Sequence, residues 1–155
     1  MDVTIETLET TPVVGITASV RMDQIGPKIG ELLPEVMAAA GDAVAGPVIA
    51  SWHCVGDGGD GDGKVPEAEM ELAVPVSRVV APTGRVAAAE LPAGRAIVHW
   101  HVGPYEGLAA TWGALSEWMQ AEGHRGRAAP WEEYVSDCAV TPLDELRTKI
   151  VWPIE

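Results

Sequence analysis

Moved along itself by 82 positions, the sequence meets its own pattern without a gap: Gly41 falls on Gly123, Met37 on Met119, Leu33 on Leu115 and Val20 on Val102. Such repetition constrains a fold strongly, because each copy must be one supersecondary unit that buries its apolar face against something else. Each half runs in the same order: a strand ending at Val20 or Val102, a helical stretch ending at the paired glycine, then one or two further strands. The 155 residues suit a single ordinary domain, with repeats at about 3–76 and 85–154.

The first helix is expected from about Gln24 to Ala40, where Ile25, Ile29, Leu32, Leu33, Val36, Met37 and Ala40 recur at helical spacing. Gly41 supplies a C-terminal stop, and Pro34 predicts a kink or break by removing one backbone hydrogen bond. The second is expected from about Tyr105 to Glu122, with Leu108, Trp112, Leu115 and Met119 as its stripe and Gly123 as its stop. Both helices are one-sided, so both should lie on a sheet. Alternation and β-branched content place strands at about Val3–Leu8, Val13–Val20, Val48–Cys54, Glu67–Pro75, Arg85–Leu91, Ala96–Val102, Trp131–Val135 and Leu146–Trp152. Pro75 and Pro153 should each end a strand. The linker 76–84 is too short to separate two independent domains.

Composition removes several function classes. Ten Lys and Arg against 23 Asp and Glu give a net charge of −13, which leaves no basic face for nucleic acid. No apolar run is long enough for a transmembrane helix, and the acidic start Met1–Glu6 lacks the pattern of a signal peptide, so a cytoplasmic protein is expected. Cys54 and Cys138 are too few for a disulfide scaffold or a thiolate metal cage and read as free thiols, with a disulfide between them left open. The Gly- and Asp-rich stretch Val55–Lys64 reads as a hairpin loop; Asp60 and Asp62 have calcium-loop spacing, but Lys64 and Val65 occupy positions that need an oxygen ligand and a glycine. No Ser/His/Asp signature, phosphate loop, dinucleotide fingerprint or zinc-cysteine pattern is present, and no cofactor is expected.

The densest chemistry is Trp131-Glu132-Glu133-Tyr134. On a strand, Glu132 and Tyr134 share one face, while Trp131, Glu133 and Val135 share the other. A helix-covered face should take Trp131 and Val135, leaving Glu132 and Tyr134 on the opposite side; their counterparts in the first repeat are Ala50 and Trp52, and Trp52 is expected near both. A carboxylate among aromatic rings suits a cationic ligand or a general base, although a solvated strand acid bonded to Tyr134 is equally open. His99 and His101 share a strand face with chelating spacing, and His53 is the one further candidate for a metal; polar-face residues are the plainer reading. Tyr105 follows the Gly103-Pro104 turn and aims into a pocket or caps the helix. Trp112 belongs to the apolar stripe, and Trp118 lies on another helix face.

Gly103-Pro104-Tyr105-Glu106-Gly107-Leu108 leading into a helix, Trp131–Tyr134 followed by Asp137, and the closing stretch Glu145–Ile154 together resemble GyrI-like domains, the effector-binding domains of AraC-class and MerR-class regulators. The likeness covers nearly the whole chain. It implies an α+β fold in which duplicated βαββ units form one antiparallel sheet, with two helices on one face and a drug-sized pocket at the junction. In multidrug-sensing relatives a buried glutamate of a Glu-x-Tyr strand meets lipophilic cations. That role carries over to Glu132, with Tyr134 beside it and Trp52, Tyr105, His99, His101 and Trp112 as further ligand-binding residues. Glu133 is an addition to the family pattern, and Cys138 stands where many relatives have proline. The leading expectation is a stand-alone module that senses or sequesters a small hydrophobic organic molecule, cationic or not. The alternative is a hydrolase of a strained or electrophilic small molecule, such as a cyclopropanoid natural product, using Glu132, Glu133, Tyr105 and Tyr134. A protein that binds a larger enzyme through its acidic surface is the third.

Overall fold

The computed structural model describes residues 1–55, 67–137 and 139–155, with only the backbone of residues 54 and 55. The expected hairpin loop with Asp60 and Asp62, the Cys54 side chain and Cys138 lie outside the described residues. The elements are β1 Val3–Leu8, β2 Thr11–Arg21, α1 Ile25–Ala40, β3 Val48–Val55, β4 Glu67–Pro75, β5 Ala87–Leu91, β6 Gly94–Val102, α2 Leu108–Glu122, β7 Trp131–Tyr134 and β8 Arg147–Pro153. The architecture is therefore α+β, and the strand pairs given below are all antiparallel. Among the described residues no helix is long and apolar enough to cross a membrane.

The chain forms two compact units. In residues 10–91 the strand order is β3-β4-β2-β5, and α1 lies against β2 and β4 with Leu32, Val36 and Ala40 buried. Of the kink or break expected at Pro34, a break is excluded: the helix continues through it, since its buried face outweighs one lost backbone bond. Gly41, at φ +56, then turns the chain out of the helix and donates its N–H to the Met37 carbonyl.

The other unit comprises residues 1–9 and 92–155, with order β1-β6-β8-β7. Its core joins Ile97 of β6, Leu115 and Met119 of α2, Ile150 of β8 and Ile154, flanked by Val3, Leu108, Trp112, Trp118 and Trp152. Gly123, in the left-handed conformation at φ 75, closes α2 by donating to the Gln120 and Met119 carbonyls. Both units place a strand, a helix and two strands in the same order and add one edge strand. These edge strands come from unexpected places. β1 pairs with β6 although only two residues separate it from β2, and β5 pairs with β2. Pro75 and Pro153 end β4 and β8 as expected, and the Pro75 and Pro153 carbonyls accept N–H bonds from Ala45 and Arg127.

Candidate functional site

In the unit that holds α2, the pairing of β6, β8 and β7 lays side chains in rows, because residues directly opposite in an antiparallel pair point to one face. His101, Thr148 and Tyr134 form one row, and His99, Ile150 and Glu132 the next. Ile150 packs with Leu115 and Met119, so this is the face that α2 covers. Glu132 and Tyr134 therefore face the helix, which corrects the expectation that Trp131 and Val135 would. The physical reason is that α2 presents a polar group: the Trp112 indole N–H donates to Glu132 Oε1 at 2.6 Å. Trp131 is buried on the other face, and Val135 is exposed.

Glu132 is 4% exposed, and its second oxygen accepts the Tyr134 hydroxyl at 2.6 Å. Around it stand two edge-to-face ring pairs, Tyr105 with Tyr134 at 5.7 Å and Trp112 with Trp152 at 5.6 Å. Burial pushes the Tyr134 phenol well above its usual range, and the charge of Glu132, the bond donated to it and Tyr105 act in the same direction. Tyr134 is thus fixed as a protonated donor to an anionic acceptor. An acid in such surroundings attracts a positive charge strongly, because little solvent screens it.

Glu133 is on the opposite face, where it accepts from the Trp131 indole at 3.3 Å and meets Lys149 at 4.0 Å. Of the two adjacent acids, only Glu132 is among these rings. His101 is buried beneath the turn that leads to α2, with Nδ1 at 2.8 Å from Thr111 Oγ1 and Nε2 at 2.9 Å from the Pro104 carbonyl. Half-buried His99 directs Nδ1 to the Asp2 carbonyl at 2.7 Å. Among the described residues no group of three His, Cys, Asp or Glu side chains is arranged to hold a metal ion. Trp52 belongs to the unit of residues 10–91, where it is buried opposite Met70 with no hydrogen-bond partner for its indole N–H among the described residues.

Trp152 and Thr111 were missed by sequence reasoning. The alternation Thr148, Ile150, Trp152 along β8 carried a signal for the first, since it sets all three on the helix face. Thr111 lies one helical turn past Gly107, whose carbonyl its hydroxyl meets at 3.3 Å, and no pattern in the sequence marks that.

Comparison with known proteins fits this architecture. No curated protein sequence matches the chain. The solved C-terminal domain of EcmrR is 21% identical with a TM-score of 0.78, over 99% of this chain and 97% of that one. This chain spans only 57% of the EcmrR chain in its complex with DNA. SAV2435, solved bound to tetraphenylphosphonium, is 14% identical with a TM-score of 0.69, over 100% of this chain and 94% of that one. A hydrolase from Listeria innocua is 16% identical with a TM-score of 0.64, over 99% and 91% of the two chains. At such identities these likenesses show the fold. The GyrI-like small molecule binding domain matches residues 1–155, and the chain belongs to that family.

Proposed function

We propose that the chain binds a lipophilic organic cation at Glu132, with the rings of Tyr105, Trp112, Tyr134 and Trp152 as the apolar wall. The observation that carries this reading is the carboxylate itself, 4% exposed and held at 2.6 Å by both an indole and a phenol. Those two donors are neutral groups that orient the carboxylate. A cation about 4 Å away would gain on the order of 4 kcal/mol at an effective dielectric of 20. Each aromatic face beneath it adds about 1 kcal/mol more. Tetraphenylphosphonium, the ligand of SAV2435, is a cation sheathed in phenyl rings and suits such a site.

Sensing or sequestration fits the geometry better than turnover. A carboxylate that already accepts two short hydrogen bonds is a weaker base than a free one, and both Glu132 oxygens accept such bonds. A phenol held protonated as firmly as Tyr134 is also a poor acid catalyst. Mass spectrometry after incubation should return the ligand unchanged, and a water adduct formed under turnover conditions would assign the site to hydrolysis instead.

Isothermal titration with tetraphenylphosphonium tests the charge. Glu132→Gln keeps the shape and one of the two acceptors but not the charge, and it should weaken binding at least tenfold, about 1.4 kcal/mol. Glu133→Gln should bind within about twofold of wild type, because Glu133 lies on the other face of β7. Equal binding by wild type and Glu132→Gln would sink the reading.

A further inference from the structure

We propose that His101 is a positioning residue of this site: it grips the turn between β6 and α2 so that Tyr105 stands against Tyr134, and it shapes ligand recognition without touching the ligand. The ligand half of this inference rests on the site reading above.

Tyr105 needs such a grip. It opens a single 3-10 turn, Tyr105–Gly107, and is 36% exposed, so its own burial does little to fix its ring. The turn is entered through Gly103, at φ +124, which only glycine adopts readily and whose N–H bonds to the Leu146 carbonyl at 2.8 Å. Within the turn the Gly107 N–H closes onto the Pro104 carbonyl at 3.1 Å, a bond internal to the turn that ties it to nothing in β6.

His101 holds the turn to β6 from two sides. The Pro104 carbonyl can only accept, so Nε2 carries the hydrogen and donates across 2.9 Å. That carbonyl belongs to the peptide plane joining Pro104 to Tyr105. Fixing it sets the direction in which the Tyr105 side chain leaves the backbone. On the other side Nδ1 meets Thr111 Oγ1 at 2.8 Å, inside the first turns of α2. The ring also packs on Gly107, where an added Cβ would lie 3.1 Å from His101 Cε1. One imidazole thus ties the residue before Tyr105 to the helix after it. Both its nitrogens are spent inside the protein and the residue is only 9% exposed, so direct ligand contact is not its part.

The test is a set of variants read in two ways. His101→Leu removes both bonds with little change in bulk, whereas His101→Gln retains a donor for the Pro104 carbonyl. The chain has two tyrosines, so the nuclear Overhauser contact between the Tyr105 and Tyr134 rings can be followed in the ligand-free protein. The contact should vanish in His101→Leu and recover in His101→Gln. Tetraphenylphosphonium should bind His101→Leu about fivefold more weakly than wild type, and His101→Gln should recover most of that loss. In a Tyr105→Ala background, His101→Leu should cost nothing further. Survival of the ring contact in His101→Leu, or an equal affinity loss with and without Tyr105, would overturn the proposal. Should His101→Leu fail to fold, His101→Asn places its amide near the Nδ1 position but is too short to reach the Pro104 carbonyl, and an unchanged ring contact there would overturn the proposal in the same way. Wild-type protein that ignores tetraphenylphosphonium while His101→Leu still loses the contact would refute the ligand reading and leave the positioning role in place.

Discussion

The Trp112 indole reaches from α2 to β7 and places its hydrogen on Glu132 Oε1 at 2.6 Å, so the helix and the strand that frame the candidate site share one charged hydrogen bond. Hydrogen bonds to charged groups contribute about 1.5–3 kcal/mol, and removing the donor leaves a buried acceptor short of a partner. Trp112→Phe should therefore destabilise the protein by roughly 2 kcal/mol in urea denaturation. Trp112 also meets Trp152 edge-on, and phenylalanine retains much of that contact. A loss below about 0.5 kcal/mol would mean that the bond contributes little to the fold.

The tyrosine on the other side of that carboxylate predicts an alkaline transition. Its folded-state pKa is raised well above the ordinary 10.0, chiefly by burial and then by Glu132. The unfolded chain loses this proton near its ordinary value while the folded chain keeps it, so above that point the folded state binds more protons. Stability should then be fully present below about pH 10 and fall as pH rises toward the folded value, by up to about 1.4 kcal/mol per unit. Lysines titrate in the same range, so the informative quantity is the difference between wild type and Tyr134→Phe. The variant should lose this part of the alkaline slope, and parallel pH profiles for the two proteins would contradict the assignment.

Much of this fold was legible because strand alternation and helical spacing are local properties. Val3–Leu8 and Glu67–Pro75 are found at the expected limits, and the other strands differ from expectation by two residues or fewer at each end. The facing of β7 was not legible. Trp131 and Glu132 are 3% and 4% exposed, so both faces of the strand are buried there and alternation carries no inside-outside signal. Hydrophobicity alone then pointed the acid away from the helix, since nothing local announces that an indole 20 residues earlier will satisfy it. The partners of the histidines were not legible for a related reason. Their spacing on β6 is compatible with chelation, but His101 is committed to Pro104 and Thr111, contacts that exist only once the turn into α2 has formed.

The Lys149–Glu133 pair on the reverse face should matter little to the fold. The two charges are 4.0 Å apart and their side chains are 25% and 21% exposed. Solvent screening at such exposure holds a pair of this kind to about 0–1 kcal/mol. Glu133→Gln should shift stability by less than about 1 kcal/mol, with salt reducing the difference further. A larger loss, insensitive to salt, would mean that the Trp131 indole depends on this acid more than its 3.3 Å bond implies.

Thr148 offers the opposite case, a substitution that should stabilise. It lies between His101 and Tyr134 in its row, is fully buried, and its hydroxyl has no hydrogen-bond partner among the described residues. A buried unsatisfied polar group costs about 1–3 kcal/mol, and valine has nearly the same shape without the hydroxyl. The neighbouring polar groups do not compensate: the His101 nitrogens go to Thr111 and Pro104, and the Tyr134 hydroxyl goes to Glu132. Thr148→Val should therefore gain about 1 kcal/mol, which for a chain of this size raises the melting temperature by roughly 2–4 °C. Scanning calorimetry on both proteins measures this directly. A melting temperature that falls would show that the hydroxyl is satisfied in solution, and that the row His101-Thr148-Tyr134 holds a polar contact the valine removes.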